Sequence, residues 1–168
     1  MENMRVKDFM TSEVVSVRAY DRTVDVVKIL FINGFNGVPV VEKDNTLIGL
    51  ITEFDFIEKG SPIYFSPMGR ILEELTLFRE DEAEIEKKIK EIISSKAEDV
   101  MNRDPLTLLS TNTLKEAADL FIRHHRVNPV PVVDRDRRVV GIVARYDLIK
   151  LYADPTFWVK LLTKNTTE

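Results

Sequence analysis

The sequence predicts an α+β protein built from two β-α-β-β-α repeats that pack as one pseudo-twofold module, with an extra helical connector inserted between them. The first observation is the segment "GLITEFDFI" at Gly49–Ile57, which returns as "GIVARYDLI" at Gly141–Ile149. The second is "VPVV", which stands at 38–41 and again at 130–133. The predicted elements follow the same order in both copies, and such self-similarity indicates an internal duplication.

The first predicted element of each copy is a short strand, "VVSV" at 14–17 and "LTLL" at 106–109, because both runs are apolar or β-branched. A helix follows each strand. In the second copy Thr113 and Glu116 have the spacing of a capping box. We expect Thr23 to serve in the same place in the first copy, since "LFI" at 30–32 recurs at 120–122.

The next predicted elements are a β-hairpin and a closing helix in each copy. "GVPVVEKDNTLIGLIT" reads as strand, polar turn and strand, with Asp44 and Asn45 at the turn. The closing helices carry Asp55 and Asp147 in their first turns, where a negative charge suits the helix dipole. Neither copy has enough sheet to bury both faces alone, so we expect the two to share a core.

The remaining segments give the predicted domain limits. Residues 1–57 form the first repeat, 58–96 the connector, 97–152 the second repeat and 153–168 a tail helix that contains Trp158. The connector is predicted to hold an amphipathic helix, which covers either the module or a partner. The apolar face of that helix consists of Ile85, Ile89, Ile92 and Ile93.

Composition narrows the class of protein. The chain has 168 residues, 44% of them hydrophobic and 31% charged, as in an ordinary globular protein. Lys and Arg number 24 and Asp and Glu 28, so the net charge of −4 argues against binding to a nucleic-acid backbone. Because there is no cysteine, disulfides and thiolate chemistry are excluded. With neither a signal-peptide core nor an apolar run of about 18 residues, we expect a cytoplasmic protein with no membrane partner.

The duplicated pattern "MTSEVVSV…GVPVVEKDNTLIGLITEFDFI" resembles the cystathionine β-synthase (CBS) domain family, whose motif works in tandem pairs. The resemblance covers residues 6–57 and 97–150. It implies a regulatory module that binds AMP, ADP, ATP or S-adenosylmethionine between its halves, forms homodimers and acts on a separate effector protein. Some members of the family bind no ligand and serve only for dimerisation, so this second function stays open.

An enzyme is the third reading, and the sequence argues against it. No phosphate-binding P-loop, no nucleophile elbow and no cluster of metal ligands is present in the sequence. We therefore predict no catalytic residue and no catalytic cofactor.

The resemblance implies that a carboxylate early in the closing helix binds ribose, a role that falls to Asp55 and Asp147. A carboxylate can accept hydrogen bonds from two adjacent hydroxyl groups, and such charge-assisted bonds are strong. The alternative is that each aspartate only caps its own helix.

A phosphate calls for hydroxyl groups, helix N–H groups and a cation. The first copy offers Thr52 but sets Glu53 beside it, whereas the second has Ala144 and Arg145. Arginine can hold a phosphate with a bidentate fork. We therefore expect the second copy to be the better phosphate site.

An adenine needs an apolar slot with a few backbone hydrogen bonds. The resemblance implies that the first strand and the start of the hairpin supply it, although ordinary core packing is the alternative for each apolar member. The first slot consists of Val15, Ser16, Val17, Gly37, Val38 and Pro39, and the second of Leu106, Thr107, Leu108, Asn128, Pro129 and Val130.

The segment "RHHR" precedes the second slot, and its side chains could steer a phosphate. A solvated helix end is the alternative. Because His124 and His125 are adjacent, they point to different faces, and the sequence offers no third ligand, so we predict no metal site. The cations of the segment are Arg123 and Arg126.

Overall fold

The computed structural model describes residues 4–58, 94–153 and 155. The predicted connector helix with its isoleucine face and the predicted tail helix with Trp158 lie outside the described residues. Among the described residues, no helix combines the length and the apolar character that crossing a membrane requires.

The described residues confirm an α+β fold with two repeats. The first repeat contains a 3₁₀ turn (Val6–Asp8), helix α1 (Thr23–Asn33), strands β1 (Gly37–Val41) and β2 (Leu47–Thr52), and helix α2 (Glu53–Glu58). The second repeat contains helix α3 (Ala97–Val100), strand β3 (Leu108–Leu109), helix α4 (Leu114–Arg123), strands β4 (Val130–Val133) and β5 (Val139–Val143), and helix α5 (Arg145–Ala153).

Each repeat has a small sheet. β1 and β2 pair antiparallel, as do β4 and β5, and β3 adds to β4 in parallel. The strand predicted at 14–17 is wrong apart from Val17, which bridges Val40. The Val17 N–H donates to the carbonyl of Pro39 at 2.9 Å, and the Val17 carbonyl accepts from the N–H of Val41 at 2.9 Å. Only one residue of this segment therefore pairs with β1, and β3 is likewise only two residues long.

The capping box at Thr113 and Glu116 is confirmed. The Glu116 N–H donates to Thr113 Oγ1 at 3.1 Å, and the Thr113 N–H donates to Glu116 Oε2 at 2.6 Å. The same role for Thr23 is wrong, because Arg22 holds the N-cap position of α1 and makes no capping hydrogen bond with its side chain. The Thr23 hydroxyl is buried without a partner among the described residues.

The matching of the two helices by identical letters is also wrong by one residue. Leu30 of α1 and Phe121 of α4 are the buried members of the repeated "LFI" runs, whereas Phe31 and Ile122 are exposed. Burial is the feature that packing requires, so Leu30 corresponds to Phe121 rather than to Leu120. The identical letters stand in different helical phases.

The segment in front of each repeat crosses onto the other repeat. Met10 covers Gly141 of β5, where an added β-carbon would lie 3.0 Å from Met10 Cγ. Met101 covers Gly49 of β2, where an added β-carbon would lie 2.9 Å from Met101 Cγ. The glycines thus make room for a methionine of the opposite repeat. Antiparallel bridges secure both crossings and join Thr11 with Ile142 and Leu50 with Asn102.

The exchange interlocks the two cores. Ala97 and Met101 pack in the core of the first repeat, with Leu30 and Ile51. Val6 packs in the core of the second repeat. Because each core needs a segment that precedes the other repeat, neither repeat is complete alone.

The two hairpin turns meet at one end of the pseudo-twofold axis. Thr46 and Arg138 form an antiparallel bridge, and the Leu47 N–H donates to the carbonyl of Arg137 at 2.9 Å. A third core cluster beneath the turns draws equally on both repeats. Its members are Val41, Leu47, Val133 and Val139.

Gly37 and Pro129 face each other across the interface of the repeats. They hold equivalent places, each just before a "VPVV" run. A β-carbon at Gly37 would lie 2.8 Å from Pro129 Cδ and 2.8 Å from the Ile51 carbonyl oxygen. The two repeats differ at this point because the space between the facing residues holds only one side chain, that of Pro129.

Candidate functional site

Each sheet has one end at which the predicted site segments meet, called the helix end below. In the first repeat β1 begins there, β2 stops there and α2 starts there. Gly37 pairs with Thr52 in the hairpin, and the Glu53 N–H donates to the carbonyl of Asn36 at 3.0 Å. Because Val17 bridges Val40 in parallel, Ser16 precedes the bridge on the side of the helix end. The segment 14–17, the hairpin start and the closing helix therefore converge at this end.

The helix end of the second repeat has the same plan. Val130 pairs with Val143, so Pro129 lies beside the end of β5 and the start of α5. Leu108 pairs with Val132 in parallel, which brings Thr107 toward the same end.

Asp55 and Asp147 both reach back to the residue before their helix. Asp55 Oδ2 accepts from the Thr52 N–H at 2.8 Å and from Thr52 Oγ1 at 2.9 Å. Asp147 Oδ2 accepts from the Ala144 N–H at 2.8 Å. Each aspartate therefore caps its helix with Oδ2. The other oxygen of Asp147, Oδ1, accepts a hydrogen bond from Lys150 Nζ at 3.4 Å.

The two carboxylates differ in their surroundings. Asp147 is 9% exposed, whereas Asp55 is half-buried. Lys150 Nζ lies 3.4 Å from Asp147 Oδ1 and brings a positive charge to the second site. In the first site the Thr52 hydroxyl is already engaged by Asp55.

Arg145 binds the end of α4. Its Nη2 donates to the carbonyls of Phe121 at 3.4 Å and His124 at 3.2 Å, and also to that of His125. The guanidinium carbon lies 5.8 Å from the centroid of the Phe121 ring. A cation is favourable beside the last carbonyls of a helix. Arg145 Nε is buried and has no acceptor within the part of the chain that the structure describes.

Asn128 anchors the start of α5 and was predicted only as part of the adenine slot. Its Oδ1 accepts from the Arg145 N–H at 3.0 Å. The equivalent residue of the first repeat is Asn36, whose carbonyl holds the Glu53 N–H. The two predicted slots are therefore one residue out of step, since Asn128 corresponds to Asn36 and not to Gly37. An Asn just before each hairpin was the sequence signal that could have revealed this pair.

The other slot residues divide by burial. Ser16 and Thr107 are half-buried, while Val15 and Leu106 are exposed. The buried members are Val17, Leu108, Gly37, Val38, Pro39, Pro129 and Val130.

The segment "RHHR" forms the end of α4 and the turn after it. Arg123 closes the helix, and the other three residues are exposed. The carbonyls of this segment hold Arg145, which sequence reasoning missed. Across residues 4–58 and 94–153, no three or more His, Asp or Glu side chains come together as metal ligands would.

A cavity of about 370 Å³ lies at the opposite end of the first sheet, beside the hairpin turn. It is separate from the predicted slots. Its lining consists of Arg18, Ala19, Tyr20, Val41, Glu42, Lys43 and Asp44.

Comparison with known proteins places this architecture in one family. The family model of the CBS domain matches residues 6–61 and 97–154. The Methanocaldococcus jannaschii protein MJ1426 is 31% identical over 156 residues, which are 89% of this chain and 91% of that protein. MJ1225 of the same organism is 29% identical over 153 residues, 90% of this chain, and the chain spans only 48% of its length.

Solved structures agree on the fold. The crystal structure of MJ1225 superposes with a TM-score of 0.70 at 26% identity and covers 90% of this chain and 48% of that one. The structure of CBSX2 in complex with AMP superposes with a TM-score of 0.66 at 22% identity, covering 89% and 96%. CBSX2 is a protein of Arabidopsis thaliana. With two matched copies, an interlocked pair of cores and these neighbours, the chain belongs to the CBS-domain family as a tandem pair.

Proposed function

We propose that the chain is a regulatory module that senses an adenosine nucleotide at the helix end of its second repeat and acts on a separate effector protein. One observation carries the proposal. The start of α5 combines a carboxylate that is 9% exposed with a guanidinium whose Nε–H is buried without an acceptor. Buried polar groups are normally hydrogen-bonded, and an unsatisfied one costs about 1–3 kcal/mol. A phosphate oxygen of a ligand supplies the acceptor that the Nε–H lacks, and ribose hydroxyls can donate to the carboxylate.

Each part of a nucleotide has a counterpart at this end. Asp147 Oδ1 is the acceptor for the ribose hydroxyls, since Oδ2 is engaged by the Ala144 N–H, whereas the contact of Oδ1 with the exposed Lys150 Nζ is long, at 3.4 Å. Arg145 and the N-terminal end of α5 attract the phosphate. The half-buried Thr107 and the exposed Leu106 border the adenine slot, and Leu108 and Val130 pack behind them in the core of the second repeat.

The first repeat is less suited to phosphate. Glu53 stands where the second repeat has Arg145, so its negative charge opposes a phosphate. The Thr52 hydroxyl, which was the motif's candidate for phosphate, donates to Asp55 instead. We therefore assign the ligand to the second repeat and expect weaker binding at the first.

Relatives indicate which ligands to test. CBSX2 was crystallised with AMP, and the CBS pair of MJ0100 with 5′-methylthioadenosine and S-adenosylmethionine. MJ0100 superposes with a TM-score of 0.63 at 23% identity. Those ligands belong to those proteins, and they make adenosine compounds the class to examine here.

We propose no catalytic activity. CBS-pair proteins are generally regulatory rather than catalytic. The homoserine O-acetyltransferase of Methanosalsum zhilinae is 25% identical over 151 residues, but the match spans 24% of that enzyme. Its activity is therefore not carried over to this chain.

Thermal unfolding with AMP, ATP, adenosine and S-adenosylmethionine tests the proposal. A specific ligand at a hundred times its dissociation constant stabilises the folded state by about 2.7 kcal/mol. Native mass spectrometry of freshly purified protein complements it, because a bound nucleotide adds its mass. An unchanged melting temperature with all four compounds would refute ligand sensing and favour the ligand-free dimerisation module.

We also propose a homodimer, on the evidence of exposed apolar side chains along the helices. Phe31 and Ile32 of α1 are 78% and 77% exposed, and Ile122 of α4 is 64% exposed. Large exposed apolar side chains such as the neighbouring Phe31 and Ile32 favour an interaction surface on these helices. Light scattering should give twice the chain mass at micromolar concentration, and Ile32→Asp should shift it toward the monomer. The closing helices are the alternative interface, and Tyr146→Asp is the matched variant there.

A further inference from the structure

The two hairpin turns form a rigid platform at the end of the molecule opposite the proposed nucleotide site. We call it the turn face and define it as residues 18–20, 42–46 and 134–138. The Val139 N–H donates to the carbonyl of Asn45 at 3.0 Å, and Asn45 Nδ2 donates to the carbonyl of Val139 at 2.7 Å. Thr46 and Arg138 are bridged through their backbones. These bonds hold the turns of both repeats in one orientation.

Three arginines stand together on this platform. Arg135, Arg137 and Arg138 are exposed. Arg138 attracts the Asp44 carboxylate, whose pKa is lowered mainly by hydrogen bonds from Thr46 and also by the Arg138 charge. The neighbouring carboxylate of Asp134 is turned to its own backbone, where Oδ1 accepts from the N–H groups of Asp136 at 2.9 Å and Arg138 at 2.8 Å. The guanidinium groups are thus left for an external partner.

The backbone does not explain arginine at position 137. Arg137 has φ of 61°, and its equivalent in the first repeat, Asn45, has φ of 71°. Asn adopts this left-handed conformation readily, whereas a long side chain bears a cost of about 1–2 kcal/mol. The turn therefore favours Asn, and a residue kept in an unfavourable conformation points to a function.

The cavity described above opens on the same face. Ala19 and Val41 give it apolar walls, and its charged lining is mixed, with Arg18 and Lys43 beside Glu42 and Asp44. The Arg18 guanidinium donates to the carbonyls of Val41 and Glu42. Tyr20, also in the lining, is 63% exposed. The apolar walls of this notch lie on the same face as the three arginines of the second turn, and this combination suits a protein segment in which acidic residues alternate with apolar ones.

The charges on the face favour a protein over a nucleic acid. Glu42, Asp44 and Asp136 are interspersed among the cations and exposed, so a continuous phosphate backbone would meet repulsion. Spaced carboxylates can avoid the acids and still form bidentate pairs with arginine.

We propose that the turn face docks an acidic segment of a partner protein, with Arg135, Arg137 and Arg138 pairing with its carboxylates and the notch beside Tyr20 receiving an apolar side chain. This inference rests on the proposed function only in that a regulatory module needs a surface for its effector. The docking surface is distinct from the nucleotide site.

The test is fluorescence anisotropy with a labelled synthetic peptide of alternating Glu and Leu. The variant Arg135→Gln/Arg137→Asn/Arg138→Gln removes the charges, and Asn suits the positive φ at position 137. The expected result is a loss of about tenfold or more in peptide affinity, because several charge pairs are removed together. Binding should also weaken with added salt, since exposed charges are screened.

A matched control removes three cations from other surfaces, Lys7→Gln/Lys28→Gln/Lys115→Gln, and should leave the affinity within about twofold, because distant rim charges contribute little. No peptide binding by the unaltered protein, equal losses in both triple variants, or tighter binding of a single-stranded oligonucleotide than of the peptide would each overturn the proposal. The AMP-induced rise in melting temperature, measured on the same variants, should be unchanged by the arginine substitutions. Failure of docking is thereby distinguished from failure of nucleotide sensing.

Discussion

The helix ends of the two repeats share a backbone plan and differ in charge. In both, an aspartate in the first turn of the closing helix caps the helix, and an Asn before the hairpin holds the helix start. The first repeat then places Glu53 where the second places Arg145, and the Thr52 hydroxyl where the second has Ala144. The shared aspartate and asparagine hold the backbone of each helix start. The residues that differ between the two ends determine which end attracts an anion.

The largest expected effect is at the interface where the repeats break their symmetry. Gly37→Ala places a β-carbon 2.8 Å from both the Ile51 carbonyl oxygen and Pro129 Cδ. Overpacking typically costs about 1–3 kcal/mol, and we expect the upper end because one neighbour is backbone. Chemical denaturation measures the loss.

A matched glycine and a double variant sharpen this test. Gly34→Ala has open space around it, so only its φ of 63° opposes the change, at about 1 kcal/mol. In the double variant Gly37→Ala/Pro129→Ala one of the two clashes is absent, so its loss of stability should be smaller than the sum of the two single losses. Strict additivity of the two substitutions would contradict the contact across the interface.

The sequence predicts local features well because they depend on near neighbours. The hairpins, the capping box at Thr113 and the helical aspartates follow from residue types at fixed spacing. The identical "LFI" runs gave a wrong alignment of the two helices, because the buried residue is the first of one run, Leu30, and the second of the other, Phe121. Only one residue of the strand predicted at 14–17 pairs with β1. A run of β-branched residues indicates a tendency to form a strand but not how many of its residues find a partner strand.

Long-range exchange could not be predicted from the sequence. Each copy contains a methionine and a glycine at matching places, Met10 and Gly49 in the first and Met101 and Gly141 in the second. The sequence does not tell whether each methionine covers the glycine of its own repeat or that of the other repeat. The clamp of Arg145 on the end of α4 is of the same kind. Its acceptors are backbone carbonyls, which no side-chain pattern marks.

The next effect concerns the residue that distinguishes the two helix ends. Arg145→Ala should lower the free energy of unfolding by about 1 kcal/mol, because hydrogen bonds from a half-exposed charge to the α4 carbonyls are lost. Glu53→Ala at the equivalent place should cost less than about 0.5 kcal/mol, as for ordinary surface changes. Urea denaturation compares the two.

Ligand binding by these variants separates the clamp from the phosphate contact. Arg145→Ala should weaken AMP and ATP and leave adenosine unchanged, since adenosine has no phosphate. Equal weakening of AMP and adenosine would assign Arg145 a purely structural role. Glu53→Ala should leave AMP affinity at the second repeat unaltered.

A comparable effect is expected at the helix starts. Thr113→Ala should cost about 1 kcal/mol, the usual value for losing an N-cap, while Arg22→Ala should cost only a few tenths because Arg22 makes no capping bond. Hydrogen bonds from the Thr113 N–H and hydroxyl hold the pKa of Glu116 below its ordinary value. Because the pKa of Glu116 is lower in the folded state, its ionised carboxylate stabilises the fold at pH values above the ordinary pKa. This stabilisation is lost as the pH falls through the lowered pKa. The stability difference between the two variants should therefore narrow as the pH falls, because only the part that involves the Glu116 carboxylate is lost, and a constant difference at every pH would contradict this.

Titration calorimetry with AMP on Asp147→Asn and Asp55→Asn tests the central claim most directly. Asn keeps an oxygen to cap the helix, so the fold is retained while the charge is lost. The account predicts that Asp147→Asn weakens AMP binding by about 1.5–3 kcal/mol, the range for a hydrogen bond to a charged group, and that Asp55→Asn leaves it nearly unchanged. Binding that survives Asp147→Asn and disappears with Asp55→Asn would put the working site in the first repeat and contradict the account.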